Sequence, residues 1–161
     1  MESVQNRPPY EAYGVIMATF AGGLAAAGAL ARLLDRDPQC RTALDFGVLA
    51  LASFKAARTL AHDRVSAPMR APFVEGEADA QDEVPVHTGG MQQAIGELVT
   101  CTRCVGTWVA AGLTTTQVIA PRFGRLLTWT LAAAGANDFL QASFAALTHK
   151  SNELEERTRE S

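Results

Sequence analysis

The chain has 161 residues, of which 48% are apolar and 19% are charged, and its formal net charge is -3 at pH 7. This length predicts a single domain, and the negative charge argues against nucleic-acid binding, which requires a basic face. Three cysteines are an odd number, which disfavours a complete disulfide framework and favours reduced thiols.

Long apolar runs predict four helices, near residues 13–34, 43–61, 105–119 and 126–147. The first and last runs are long enough to cross a hydrocarbon core, which requires roughly 20 apolar residues. Lys55 and Arg58 interrupt the second run, and threonines weaken the end of the third. We predict an all-α integral membrane bundle of about four transmembrane helices, joined by short loops and one longer loop. A soluble four-helix bundle is the alternative, but the first run lacks the charged face of a surface helix.

The polar segments fit this arrangement. Residues 74–90 contain five acidic side chains and no Lys or Arg, which predicts a flexible loop. Residues 150–161 form a charged tail that continues the last helix into solvent. Basic residues are more frequent on the side that holds both ends of the chain and the long loop. We therefore expect both termini and this loop to be cytoplasmic.

Two cysteines precede the third predicted helix and form the motif with the clearest chemistry. Cys101 and Cys104 are spaced as a CxxC pair, and a helix N-terminus stabilises a thiolate. This pattern is typical of a thiol-redox or metal site, although a reduced pair with a structural role explains it equally well. Tetrahedral zinc would need two more ligands. His62 and His87 lie on the same predicted side as the pair, Cys40 lies on the opposite side, and a second copy of the chain could instead supply another CxxC. The identity of any metal or cofactor stays open.

Charged residues in and beside the apolar runs form two further candidate sites. Lys55 and Arg58 share one helix face, and together with Arg64 and Arg70 they could contact lipid phosphates or another anion. Simple extension of these side chains to the headgroups is the alternative. Asp138 lies near the middle of the fourth run, where a bare carboxylate is costly. We predict that it pairs with Lys55 or Arg58, either as a structural pair or as part of an ion relay.

The residues around the cysteine pair resemble a bacterial family of small membrane proteins catalogued as domain of unknown function 1360. That family carries an acidic-Leu-Leu-x-Cys-x-x-Cys-x-Gly/Ser-x-Trp signature, and a similar run extends here from Glu97 to Trp108. Other positions that resemble the family are Arg58, Asp63, Pro68, Arg70, Phe73 and the run Asp138-Phe139-Leu140. Thr102 and Arg103 depart from it, since Pro and an aromatic residue often separate its cysteines. The resemblance implies a protein of the bacterial inner membrane and leaves its reaction open.

Three functions follow from these observations. The first is a non-enzymatic assembly or scaffold subunit, because the chain shows no nucleotide motif and no catalytic residues. The second is a membrane thiol-redox or metal-binding protein that uses Cys101 and Cys104. The third is a small transporter or channel subunit that uses Lys55, Arg58 and Asp138. In each case the expected partners are membrane lipid and either further copies of the chain or a membrane complex.

Overall fold

The computed structural model describes residues 8–36, 42–76 and 83–160, and these are predominantly helical. In chain order, the elements are α1 Tyr10–Leu33, α2 Ala43–His62, a 3-10 turn Arg64–Ser66, α3 Ala67–Arg70, β1 Val74–Glu75, β2 Val84–Pro85, α4 Met91–Thr100, α5 Thr102–Ile119 and α6 Pro121–Glu160. The all-α prediction is therefore confirmed. The structure does not support the predicted four transmembrane helices, because α1 is the one helix in the described ranges that is long and apolar enough to cross a membrane.

Local signals in the sequence explain where the main helices begin. Thr42 and Asp45 form a reciprocal capping box at the start of α2, with the Asp45 N–H donating to Thr42 Oγ1 over 3.2 Å. The α5 helix ends at Ile119, and Pro121 opens α6 at a position where its missing N–H costs nothing. Arg36 Nη1 donates to the carbonyl of Ile119 and so occupies one of the free acceptors at the end of α5.

The core lies between α2, α5 and α6. Its fully buried members are Ala52, Leu113 and Ala132, surrounded by partly buried aliphatic side chains from the same helices. Small residues let the backbones approach closely, since a Cβ placed on Gly135 would lie 3.1 Å from the Leu51 carbonyl oxygen. Helices that meet through Ala and Gly gain van der Waals contact while burying little large apolar surface.

Two predicted segments can be compared with the structure. The charged tail was expected to continue the last helix, and α6 runs without a break to Glu160, because Ala, Leu, Glu and Arg all favour helix and no Pro or Gly follows residue 147. The predicted acidic loop is bounded by a short antiparallel ladder that pairs Val74 with Pro85 and Glu75 with Val84. Its central residues 77–82 lie outside the described ranges, as do Arg7, Cys40 and Arg41.

Candidate functional site

The cysteine pair lies at the start of α5. Cys101 is the N-cap residue of this helix, and its Sγ accepts a hydrogen bond from the Cys104 N–H over 3.3 Å. The two side chains are joined as a disulfide, and Cys104 is exposed. Reduced thiols were expected from the odd cysteine count, and the structure differs on this point. Because the two residues are three positions apart in sequence, their Cα atoms lie 5.2 Å apart, within the range that a disulfide bridges.

The end of α2 lies beside this pair. His62, the last residue of α2, places Nε2 2.9 Å from the hydroxyl of Thr102, which lies between the two cysteines. His87 is exposed on the connection before α4. Within the described ranges, no group of three or more His, Cys, Asp or Glu residues is placed to hold a metal ion.

A hydrogen-bonded group that sequence reasoning missed connects α1 to α4, one helix before the cysteines. The Tyr13 hydroxyl donates to Glu97 Oε2, and Gln93 Nε2 donates to Glu97 Oε1 over 2.9 Å. On α5, Trp108 makes an edge contact with Phe20 of α1, with ring centroids 5.0 Å apart. Glu97 is the acidic residue of the Glu97–Trp108 run, so the sequence did single it out. Its partner Tyr13 could not be predicted, because it is distant in sequence.

Arg70 corrects one prediction, because its side chain is 2% exposed and cannot contact lipid headgroups. Its Nε and Nη2 bind the two carboxylate oxygens of Glu83 at 2.7 and 3.0 Å. Its Nη1 donates to the carbonyls of Leu60 and Asp63 and to the Ser66 hydroxyl. The guanidinium therefore fills free acceptors at the end of α2 and closes the segment between residues 70 and 83. Arg64, in contrast, is exposed.

The structure brings Lys55 of α2 and Asp138 of α6 together. Lys55 Nζ lies 2.7 Å from Asp138 Oδ2, and the two side chains are 22% and 39% exposed. Phe54 and Phe139 lie beside this pair with their ring centroids 5.3 Å apart. Arg58, the alternative partner, is exposed one turn further along α2. A single ion pair between two helices favours a structural role over an ion relay, because a conduction path needs a series of such groups.

Comparison with known proteins places these residues in a family. The family "Protein of unknown function (DUF1360)" matches residues 48–144, a region that contains the Lys55–Asp138 pair, Arg70, Glu97 and both cysteines of α5. "Sporulation protein YjcA" of Bacillus subtilis (strain 168) is 36% identical over 94 residues, which cover 55% of this chain and 80% of that protein. No solved structure matches. The chain belongs to the DUF1360 family, as its cysteine signature predicted.

Proposed function

We propose that this protein is a membrane-embedded helical subunit that acts by association with other proteins and catalyses no reaction of its own. The observation that carries the proposal is the surface of α1. In its most apolar 18-residue window, only 6% of the residues are buried within the protein. Large apolar surfaces exposed in this way indicate contact with lipid or with another protein.

A soluble core helix and a signal sequence both fit α1 less well. The core helix of a soluble protein would be mostly buried, which α1 is not. A signal sequence would be removed and would make no specific contacts with the mature fold, whereas Tyr13 bonds to Glu97 and Phe20 packs on Trp108. A membrane helix that is held on one side by α4 and α5 and faces lipid on the other satisfies both observations.

Apolar residues on the neighbouring helices support the same location. Phe46 of α2 and Phe144 of α6 are both more than 70% exposed, at 72% and 73%. We propose that α2, α5 and α6 enter the bilayer beside α1 and that the Lys55–Asp138 pair lets both charges do so at reduced cost. The excess of basic residues predicted for one side supports an orientation with both termini in the cytoplasm.

The similarity to a protein named for sporulation supports a role in a membrane-bound assembly of a spore-forming bacterium. In that assembly the chain would bind partner proteins through its exposed helix faces and hold them at the membrane. Its helices meet through small residues and leave large side chains outside, which suits a subunit whose outer faces contact lipid and partner helices.

The test is membrane extraction of the full chain with one arginine placed at each of two depths in α1. Leu24 is 44% exposed near the middle of the helix, and Leu33 is 84% exposed at its end. An arginine at a helix centre costs about 2.5 to 3.5 kcal/mol of insertion free energy, and near the end the cost is small. We expect wild-type protein and Leu33→Arg to accumulate and to resist alkaline carbonate extraction, and Leu24→Arg to accumulate to a much lower level because misinserted chains are degraded. Wild-type protein that stays in the supernatant after high-speed centrifugation without detergent would overturn the proposal.

A second function has one specific observation in its favour, the joined and partly accessible Cys101 and Cys104 at a helix N-terminus. In that function, two thiols of this chain reduce a disulfide of a partner protein, which takes up two electrons and two protons as Cys101 and Cys104 join. Alkylation of intact cells with a membrane-permeant maleimide tests it. We expect the alkylated fraction to rise after treatment with a reductant and to fall after oxidation. Thiols that are fully alkylated in untreated cells, after reduction and after oxidation would exclude this function.

A further inference from the structure

The last part of α6 extends beyond the bundle and carries a regular stripe of four large apolar residues and one serine. Every residue from 139 to 159 is exposed, although the helix is continuous to Glu160. We define the tail stripe as Leu140, Phe144, Leu147, Ser151 and Leu154. Their spacings of four, three, four and three residues match the core positions of a coiled coil.

Lipid contact does not account for the whole stripe. Leu140 and Phe144 belong to the apolar part of α6, where lipid could cover them, but Leu154 is 55% exposed beyond Lys150 and among glutamates. Ser151, Leu154 and Glu155 also line a shallow groove on the surface of the helix. A lone helix of this length in water is marginal, and it is stabilised mainly by packing of its apolar face.

The charges beside the stripe identify the partner. In a parallel two-stranded coiled coil, core positions alternate between spacings of three and four residues. The residue directly before a core position such as Ser151 lies opposite the residue of the other helix whose number is five higher. In this register Lys150 of one chain faces Glu155 of a second identical chain, and the reciprocal pair forms by symmetry. Within its own chain Glu155 lies 4.0 Å from Arg159, an exposed and long contact that leaves its carboxylate able to bind a second cation. Two copies in the same bilayer also have the same orientation, so their tails run parallel. We infer that the tail stripe of α6 is a parallel self-association surface that binds the same stripe of a second copy.

This inference rests on the proposed membrane location only for the shared orientation of the two chains. Cysteine cross-linking in membranes from expressing cells tests it, with the full-length chain in which Cys40, Cys101 and Cys104 are replaced by serine. Leu147→Cys and Leu154→Cys each place a thiol on the stripe, and Glu156→Cys places one on the opposite side of the helix as a control. We expect copper-catalysed oxidation to give a disulfide dimer with both stripe variants and little with Glu156→Cys.

Any different pattern of cross-links overturns the inference. An antiparallel pair would bring only one of positions 147 and 154 next to itself, and random collision would link all three variants equally. An adduct with the mass of a different protein would identify another occupant. Carbonate extraction of the same samples separates the two proposals, because tail cross-links in an extractable protein would refute the membrane location and leave the stripe pairing intact.

The charge register provides a second, independent measurement. Lys150→Glu replaces an attraction by a repulsion in both symmetric pairs, so we expect the dimer dissociation constant in detergent to rise roughly fivefold, as is typical of exposed pairs. Lys150→Glu combined with Glu155→Lys restores opposite charges and should recover most of the loss. Double reversal that binds no better than Lys150→Glu alone would refute the parallel register.

Discussion

At the scale of single residues, Arg70 holds several groups together at once. Removal of its guanidinium leaves the Glu83 carboxylate buried and unpaired and leaves the carbonyl acceptors at the end of α2 without this donor. We expect Arg70→Ala to lower the free energy of unfolding by about 3 to 5 kcal/mol, the usual effect of breaking a buried pair. Denaturant unfolding in detergent measures this loss. Arg103→Ala is the matched control, because Arg103 is exposed, and an equal loss in both variants would contradict the role of Arg70.

The Lys55–Asp138 pair leads to a charge-reversal prediction. In the proposed bilayer location, each single reversal leaves two like charges facing each other in hydrocarbon, so we expect Lys55→Asp or Asp138→Lys alone to cost about 2.5 kcal/mol or more. The double variant Lys55→Asp with Asp138→Lys restores opposite charges and should unfold closer to the wild-type temperature. If it is no more stable than either single variant, the two residues do not stabilise the fold as a pair.

At the scale of helices, the turn between α5 and α6 depends on Gly124. A Cβ at this position would lie 2.5 Å from the Gln117 Cα atom, which is backbone and cannot move alone. We expect Gly124→Ala to force the two helices apart and to lower the free energy of unfolding by about 1 to 3 kcal/mol. Gly28→Ala in α1 is the control, since a Cβ there meets nothing within 4 Å. A neutral Gly124→Ala, measured by thermal unfolding in detergent, would show that the turn tolerates a wider angle.

Local patterns in the sequence predicted the helices but not all of their ends. The runs of apolar residues and the Pro121 breaker located α5 and α6, and the helix-favouring charged tail extended α6 as predicted. The starts were less accurate, because α5 begins at Thr102 and α6 at Pro121, before the apolar runs themselves. Similar depth along two helices that run in the same direction, α2 and α6, predicted the contact between Asp138 and Lys55. The Tyr13–Glu97 and Arg70–Glu83 contacts depend on how α4 and the acidic segment fold back, which periodicity does not encode.

At the scale of the whole molecule, the distribution of large and small side chains is the reverse of that in a water-soluble bundle. Five alanines, at positions 52, 57, 61, 94 and 132, are less than 5% exposed, while Phe46, Leu126, Phe144 and Leu147 are each more than 60% exposed. In water this arrangement would place the larger apolar groups in the less favourable environment. In a bilayer it lets backbones approach closely and leaves the bulky groups in hydrocarbon.

The proposed orientation of the whole chain predicts which side of the membrane holds the cysteine pair. With both termini in the cytoplasm, Cys101 and Cys104 lie on the reducing side of the membrane, where disulfides are rare. We expect a membrane-impermeant maleimide to leave them unlabelled in intact cells and to label them after the cells are opened. Intact cells are first treated with a membrane-impermeant phosphine, which reduces any outward-facing disulfide so that its thiols can react. Labelling of intact cells after this treatment, with Thr148→Cys in the tail as the control from the same side, would invert the orientation.

The double closure at the base of the acidic segment has a practical consequence. The Arg70–Glu83 contact and the ladder between Val74–Glu75 and Val84–Pro85 hold the two ends of this segment together, whatever lies between them. Lengthening a loop whose ends are already fixed costs little free energy, because closure entropy grows only slowly with length. The segment can therefore change in length without disturbing α2 or α4, and an affinity tag spliced into residues 77–82 would leave both ends of the chain untouched for partner capture.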